Sequence, residues 1–181
     1  MKPVTVVTGR AVPLDRSDVD TDQIIPSDWL KRVERTGFGA GLFAEWRDDR
    51  DFVLNREEYA GATILVAGPN FGIGSSREQA AAVLVHLGVA AVVAPSYSGL
   101  YFRNAFNVGL LLLTCAEAET LNEGEQIALH TTAPEIVAPG ARRLACEPVP
   151  PFLMDMVRAG GLLNQLRQRS GRPAFTKAPD A

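Results

Sequence analysis

Short apolar runs separated by glycines and polar turns are the clearest pattern along the chain. Residues 62–67 and 89–94 are apolar at nearly every position, which is typical of strands buried on both faces of a parallel sheet. Between them, residues 77–87 are apolar nearly all round and predict a buried helix, with Gly88 in the usual place past a helix end. The segment therefore predicts a βαβ unit with a right-handed crossover.

The remaining elements have weaker patterns and lie on both sides of this unit. Strands are predicted at residues 4–13, 110–113, 127–130, 135–137 and 142–146. Helices are predicted up to Arg35, with Ser27 or Asp28 as the cap, at 98–107, and at 150–169 with an interruption at Gly160 and Gly161; a helical turn is predicted at 42–46. Length and the absence of a linker predict one domain over residues 1–169, followed by a loose tail at 170–181.

Composition excludes several classes of function. The 181 residues carry 18 Lys and Arg against 21 Asp and Glu, a net charge of −3, and lack the concentrated basic face that nucleic acid requires. No apolar run approaches the roughly 18–20 residues of a membrane span, and residues 1–14 hold no secretory signal. We therefore expect a cytoplasmic globular protein with neither nucleic acid nor a membrane as its partner.

The two cysteines, Cys115 and Cys146, form neither a CxxC pair nor a zinc pattern. We expect them to be small buried apolar residues in a reducing compartment. Two thiols are also too few to hold an iron–sulfur cluster alone, since such clusters usually need three or four.

The segment at residues 70–79, NFGIGSSREQ, has the strongest chemical pattern. Gly72 and Gly74 allow the backbone to approach a bound group, and the following helix offers free N–H donors and the positive end of its dipole. Arg77 can bind a carboxylate with two hydrogen bonds. The segment therefore predicts a site for a small acidic molecule. A dinucleotide fingerprint is not supported because its sixth position is Arg77 rather than glycine, and no P-loop is present.

The two serines in this segment allow two interpretations. Ser75 with Glu78, and Ser76 with Gln79, both fit the capping box of a helix start. One serine is enough for that purpose, so two serines beside an arginine favour a binding or catalytic role. If Ser76 caps the helix, Ser75 is free to face a pocket, where positive charge can stabilise its alkoxide.

An acidic segment at residues 18–26, DVDTDQIIP, resembles a calcium loop only superficially. Gln23 stands where such a loop needs glycine, and Trp29 stands where it needs a bidentate glutamate. Two interpretations stay open: a solvated turn with a local Asx motif, or a loop from which one aspartate reaches Arg77 and orients it.

Other chemistry-bearing residues are less informative. The glycine-rich segment 35–43 is either an ordinary connection or a mobile loop that closes over substrate. His86 and His130 have no partner at metal-ligand spacing, so each is expected to be structural or at the surface.

Four segments in register resemble the small subunits of 3-isopropylmalate dehydratase, in the aconitase superfamily. They are DTDQIIP at 20–26, RTGFG at 35–39, FVLN at 52–55 and NFGIGSSRE at 70–78. The resemblance implies an α/β fold: a swivelling β/β/α domain with a mixed, largely parallel central sheet, like the C-terminal domain of aconitase. It also implies a separate large subunit that carries the [4Fe–4S] cluster, so that this chain binds no cofactor or metal itself.

The implied reaction converts 2-isopropylmalate to 3-isopropylmalate through isopropylmaleate, with the cluster iron as Lewis acid on the departing hydroxyl. By resemblance, Ser75 is the base, and Asp22 supports it. The substrate-binding positions implied are Ser76, Arg77, Gly74 and Asn70, with a substrate loop of Arg35, Thr36, Gly37, Phe38 and Gly39. The isolated chain is also expected to self-associate if it exposes an apolar contact face.

Two positions depart from the family pattern. Ile73 stands where the family usually has cysteine, and Gln79 where it usually has histidine. Two alternatives follow: a paralogous dehydratase acting on another diacid, such as homoaconitate, citraconate or a substituted malate, or a carboxylate-binding module without catalytic activity.

Overall fold

The structure, a computed structural model, describes residues 6–31 and 38–175, with only the backbone of Phe38. Within these ranges the strands are β1 (Val6–Leu14), β2 (Ile64–Ala67), β3 (Ala91–Ala94), β4 (Leu111–Thr114), β5 (Gln126–His130), β6 (Glu135–Ala138) and β7 (Arg142–Ala145). The α-helices are α1 (Thr21–Ile24), α2 (Ser27–Leu30), α3 (Ala44–Arg47), α4 (Glu78–His86), α5 (Gly99–Asn107), α6 (Pro151–Ala159) and α7 (Leu162–Arg169). Short 3-10 helices occupy Phe38–Gly41, Val53–Asn55, Glu57–Tyr59, Ala118–Thr120 and Pro139–Ala141.

All of these strands form one sheet in the order β4-β3-β2-β1-β5-β6-β7. The pairs β1–β2, β2–β3 and β3–β4 are parallel, whereas β1–β5, β5–β6 and β6–β7 are antiparallel. The sheet is therefore mixed, as predicted, and β1 joins its parallel half to its antiparallel half. The βαβ unit is also confirmed as β2, α4 and β3.

Burial explains why the two halves have different sequences. β2 and β3 are buried at every position, so both faces of the parallel half are covered. β5 alternates between buried and partly exposed residues, as expected where one face is in contact with solvent. One continuous apolar core extends along the sheet and includes the helix residues Val83, Leu84, Tyr101 and Phe106.

The sheet is strongly curved. β4 and β7 are its two edge strands, yet the backbone N–H of Glu147, just after β7, donates to the carbonyl of Thr114 at the end of β4 over 2.8 Å. This contact brings Cys115 and Cys146 together, which the sequence analysis did not predict.

The C-terminal helix is interrupted where two glycines predicted it. Gly160 and Gly161 both have positive φ, at 77° and 104°, and separate α6 from α7. A Cβ on Gly161 would lie 2.5 Å from the carbonyl oxygen of Asn107, so this close approach requires glycine. Among the described residues, no helix is long and apolar enough to span a bilayer.

Several local predictions were wrong or lie outside the described residues. α2 begins at Ser27 with Pro26 before it, so neither Ser27 nor Asp28 caps this helix. It ends at Leu30, and its predicted end at Arg35 lies outside the described residues. The predicted turn at 42–46 is displaced, because Phe43 adopts a left-handed conformation and α3 begins after it. Residues 170–175 contact α7, where Phe175 lies under the Arg167 guanidinium at 4.0 Å from the ring centroid. The division into a domain at 1–169 and a loose tail stays a prediction.

Candidate active site

Three loops meet at one edge of the sheet, each following a parallel strand. Residues 15–20 follow β1, residues 68–77 follow β2, and residues 95–98 follow β3. Parallel strands place their carboxyl ends along a common edge, which is where ligands bind in open α/β sheets. The topology therefore brings the serine turn (residues 70–77) against the acidic loop predicted to orient it.

The serine turn has a backbone that only particular residues can adopt. Gly72 and Gly74 have φ of 79° and 92°, and Asn70 has φ of 58°. A Cβ on Gly72 would lie 2.2 Å from Cγ of Tyr101, whose buried ring packs edge-on against Phe71 at 5.3 Å. The packing of Tyr101 against Phe71 thus fixes the turn, and glycine is required at position 72.

The acidic loop binds the serine turn through its backbone. The N–H of Gly72 donates to the carbonyl of Val19 over 2.7 Å, and the N–H of Thr21 donates to the carbonyl of Ile73 over 2.9 Å. Asp20 caps α1: its carboxylate accepts from the N–H of Gln23 over 2.8 Å, and the Gln23 side chain accepts from the N–H of Asp20 over 2.9 Å. Asp20 therefore has a structural role, and the next aspartate, Asp22, is presented to the turn.

Asp22 is the aspartate that reaches Arg77. Its Oδ1 forms an ion pair with Nη1 of Arg77, whose side chain is 19% exposed, while that of Asp22 is 55% exposed. Ser75 and Ser76 precede Arg77 and are exposed to solvent. The site therefore presents two hydroxyls and one oriented guanidinium at an open surface.

The capping interpretation of the serines was wrong. Arg77 is the N-cap residue of α4, no side chain caps the helix, and the N–H of Arg77 donates to the carbonyl of Ser75 over 2.9 Å. This tight turn places both serines before the capping position, so neither hydroxyl is used by the helix start.

Asn70 is held by its protein neighbours. Its Nδ2 donates to Oδ1 of Asp18 over 2.8 Å, and its Oδ1 accepts from Oγ of Ser96 over 3.3 Å. Its backbone N–H also donates to Oγ of Ser96, over 2.9 Å. These contacts fix the start of the serine turn, and the substrate-binding role of Asn70 stays a prediction.

Four residues at this site were missed by the sequence analysis. They are Asp18, Thr21, Ser96 and Asn104, whose Nδ2 lies 3.4 Å from Oγ of Ser76. Ser96 follows a predicted buried strand, so its place at the carboxyl end of β3 was a usable signal. Asn104 lies inside α5, where no sequence pattern marks it.

The predicted substrate loop is only partly described. Arg35, Thr36 and Gly37 lie outside the described residues. Gly39 packs against Leu87, since a Cβ there would lie 2.5 Å from a Leu87 methyl. Leu87 follows α4, whereas Arg77 precedes it, so the structure does not bring Gly39 to the serine turn: nine helical residues, about 14 Å, separate the two ends.

The paired cysteines directly follow β4 and β7. Both are free thiols joined by a side-chain hydrogen bond, which lowers the pKa of Cys115 and raises that of Cys146. Among the described residues, no group of three or more His, Cys, Asp or Glu side chains is placed to hold a metal ion. The residues present therefore do not fit an iron–sulfur cluster.

Comparison with known proteins identifies the family. Residues 1–118 match the aconitase C-terminal domain. The small subunit of 3-isopropylmalate dehydratase from Frankia alni is 54% identical over 143 residues, which cover 79% of this chain and 73% of that protein. The corresponding subunit from Streptomyces griseus is 44% identical over 167 residues, covering 92% of this chain and 85% of the relative. The chain belongs to the 3-isopropylmalate dehydratase small-subunit family.

The fold of this small-subunit family is seen in a solved structure. The crystal structure of 3-isopropylmalate dehydratase from Methanocaldococcus jannaschii aligns with a TM-score of 0.77 and 32% identity. The alignment covers 91% of this chain and 95% of the other. The predicted fold class, that of the aconitase C-terminal domain, is thereby confirmed.

Proposed function

We propose that this chain is the small subunit of a hydro-lyase that interconverts 2-isopropylmalate and 3-isopropylmalate through isopropylmaleate in leucine biosynthesis. The observation that carries the proposal is the Arg77–Asp22 ion pair beside the exposed hydroxyls of Ser75 and Ser76. Family membership supports the same reaction.

Arg77 has the role of binding a substrate carboxylate. A guanidinium offers five N–H donors in a planar fork, so the contact of Nη1 with Asp22 leaves donors for a carboxylate. The carboxylate of Asp22 limits rotation of the guanidinium and so fixes the plane in which it binds. Ser76 and the backbone at Gly74 lie in the same turn and complete the carboxylate site.

Ser75 has the role of the base that takes the proton alpha to a carboxylate. A serine hydroxyl does this only where its alkoxide is stabilised, because its pKa in water is far too high. Two sources of positive potential lie within two or three residues of it: Arg77 and the N-terminal end of α4. The capping result supports this role, since no helix N–H competes for the Ser75 hydroxyl.

The exposure of Ser75 and Ser76 supports a site completed by a second chain. Water must be excluded for an alkoxide to form and for a charged substrate to be held tightly, and this surface is open. We propose the large subunit of the dehydratase as that partner. Family resemblance implies that the [4Fe–4S] cluster is on that subunit, and a chain with two cysteines is consistent with this placement. Location in the cytoplasm and self-association of the isolated chain stay predictions.

Anaerobic reconstitution with the large subunit from the same organism tests the proposal. The chain alone is expected to be inactive, and the complex to convert 2-isopropylmalate. Ser75→Ala should lower turnover at least a thousandfold without weakening assembly, measured by analytical ultracentrifugation. Ser170→Ala, at an exposed serine beyond α7, is the matched control and should keep full activity. Full turnover by the Ser75→Ala complex would overturn the role of Ser75.

A different diacid substrate is the second candidate. Ile73 and the exposed Gln79, the second residue of α4, are the observations that favour it, because both depart from the family pattern at the site itself. A panel of isopropylmalate, homoaconitate, citraconate and substituted malates on the same complex separates the two. Tight diacid binding without turnover would instead indicate a carboxylate-binding module.

A further inference from the structure

Thr21 is a buried polar residue beside the serine turn. Its exposed fraction is 1%. Leaving tyrosine and cysteine aside, it is the one buried residue with a polar side chain among the described residues. A buried hydroxyl needs a hydrogen-bond partner, since losing water without one is costly. In this structure the partner is the backbone of Ser75, because Oγ1 of Thr21 donates to the Ser75 carbonyl oxygen over 3.1 Å.

Thr21 binds the serine turn on both sides of Gly74. Its backbone N–H donates to the carbonyl of Ile73 over 2.9 Å, and its side chain donates to the carbonyl of Ser75. Gly74 lies between these two anchors with φ of 92°, a conformation that only glycine adopts readily. A glycine does not fix its own backbone, so the direction of the following serine depends on the hydrogen bonds made on either side of the glycine.

The carbonyl of Ser75 is also the acceptor for the N–H of Arg77, over 2.9 Å. One oxygen atom thus links the backbone of both proposed functional residues. Asp22, the neighbour of Thr21, holds the guanidinium of the same arginine. Two consecutive residues of the acidic loop therefore fix the Ser75 backbone and the Arg77 side chain.

We infer that Thr21 is a positioning residue for Ser75. Its hydroxyl, by donating to the Ser75 carbonyl, fixes the peptide between Ser75 and Ser76 and so sets the direction of the Ser75 hydroxyl relative to Arg77. Thr21 is buried beneath the turn and does not touch substrate. The inference rests on the proposed role of Ser75 as base.

Two matched pairs of variants isolate the hydroxyl. Thr21→Val keeps the shape of threonine and removes the hydroxyl. Thr21→Ser and Thr21→Ala both lose the methyl group and differ from each other only in the hydroxyl. In the reconstituted complex, the Thr21→Val and Thr21→Ala variants are expected to lower kcat about 10–100-fold with a smaller change in KM, because a misplaced reacting group slows the chemical step by factors of this size. Ser should stay within about threefold of the wild type.

The Ser75→Ala background gives a readout that a merely structural role would not move. Once Ser75 has no hydroxyl to position, adding Thr21→Val should cost no further activity, so the two changes should be strongly non-additive. Additive losses in the double variant would overturn the inference.

Assembly and thermal stability are measured on the same samples. A normal kcat in Thr21→Val would overturn the inference. So would a correlation between the activity and the thermal stability of the variants. Failure of both hydroxyl-free variants to assemble, while Thr21→Ser assembles, would also overturn it, because the Thr21 hydroxyl would then stabilise the fold. If Ser75→Ala is inactive and Thr21→Val is normal, this inference alone fails. If Ser75→Ala is fully active, the proposed function of Ser75 fails.

Discussion

The guanidinium of Arg77 binds the carboxylate of Asp22 across 55 positions of sequence. The contact joins α1 to the loop after β2, and it lies at the surface, with Asp22 half exposed. Exposed ion pairs usually contribute about 0–1 kcal/mol to stability, because water screens them. The consequence of this pair is therefore the orientation of Arg77 rather than the stability of the fold.

Asp22→Asn tests this distinction. The free energy of unfolding in urea is expected to change by less than about 1 kcal/mol. In the reconstituted complex, KM for the diacid should rise roughly tenfold, about the effect of losing 1.4 kcal/mol of binding, because the guanidinium loses its fixed plane. Asp28→Asn, which breaks the exposed Asp28–Lys31 pair on α2, is the matched control. Equal KM values for the two variants would contradict the orienting role.

Gly72→Ala is expected to destabilise the chain severely. A left-handed conformation costs a non-glycine residue about 1–2 kcal/mol, and the new Cβ would overlap the Tyr101 ring, adding about 1–3 kcal/mol. Gly88→Ala is the control, because Gly88 has a similar φ of 87° but nothing within 4 Å of its added Cβ. Urea denaturation of both variants gives the difference, and equal losses would show that the aromatic packing yields.

Tyr59 makes stability depend on pH in the alkaline range. Burial raises the pKa of the Tyr59 phenol to about 12, and its hydrogen bond with Glu123 acts in the same direction. The unfolded chain therefore releases the phenol proton at a lower pH than the folded chain does. The contribution of Tyr59 to the free energy of unfolding is complete below about pH 10 and is lost as pH rises towards 12. Tyr59→Phe should show a shallower fall in unfolding free energy over this range. Denaturation at pH 9, 10, 11 and 12 compares the slopes, and identical slopes would contradict the assignment.

The thiol pair predicts a shifted cysteine titration. Because Cys115 shares a side-chain hydrogen bond with Cys146, the pKa of Cys115 is lowered, and its thiolate should form in the folded chain at a lower pH than in the unfolded chain. The contribution of Cys115 to the free energy of unfolding therefore increases as pH rises through the lowered pKa.

Thiolate absorbance at 240 nm between pH 6 and 10 measures this titration directly. Cys146→Ala removes the hydrogen-bond partner of Cys115 and should move the transition to higher pH, whereas Cys146→Ser keeps a hydroxyl that can form this hydrogen bond and should move it less. A transition at the same pH in the wild type and in Cys146→Ala would show that the hydrogen bond does not control Cys115.

Local pattern predicted the parts of the fold in which each segment decides its own structure. The apolar runs around α4 specified β2 and β3, and two glycines specified the break between α6 and α7. Contacts between distant segments decided what the sequence left open. Whether the acidic loop was a solvated turn or part of the site depended on β1 pairing beside β2, which no local pattern encodes.

The serines show the same limit on a smaller scale. Two capping boxes fitted the sequence, but the Ser75 carbonyl accepts hydrogen bonds from Thr21 and Arg77, and the helix starts one residue too late for the box at Ser76 and two residues too late for the box at Ser75. Thr21 itself carried a weak signal, since a threonine beside a functional aspartate is unremarkable. Its burial and its partner became visible only when the two loops were folded together.

Because the surface at Ser75 and Ser76 is open, we expect the activity to depend on the concentration of the assembled heteromer. On the proposed function, the exposed hydroxyls of Ser75 and Ser76 act on a diacid only when a second polypeptide covers them, so each working centre forms when two polypeptides meet. Specific activity should consequently fall on dilution below the dissociation constant of the heteromer and recover when the companion chain is added in excess. Cells would then set flux through this step by the scarcer of two gene products.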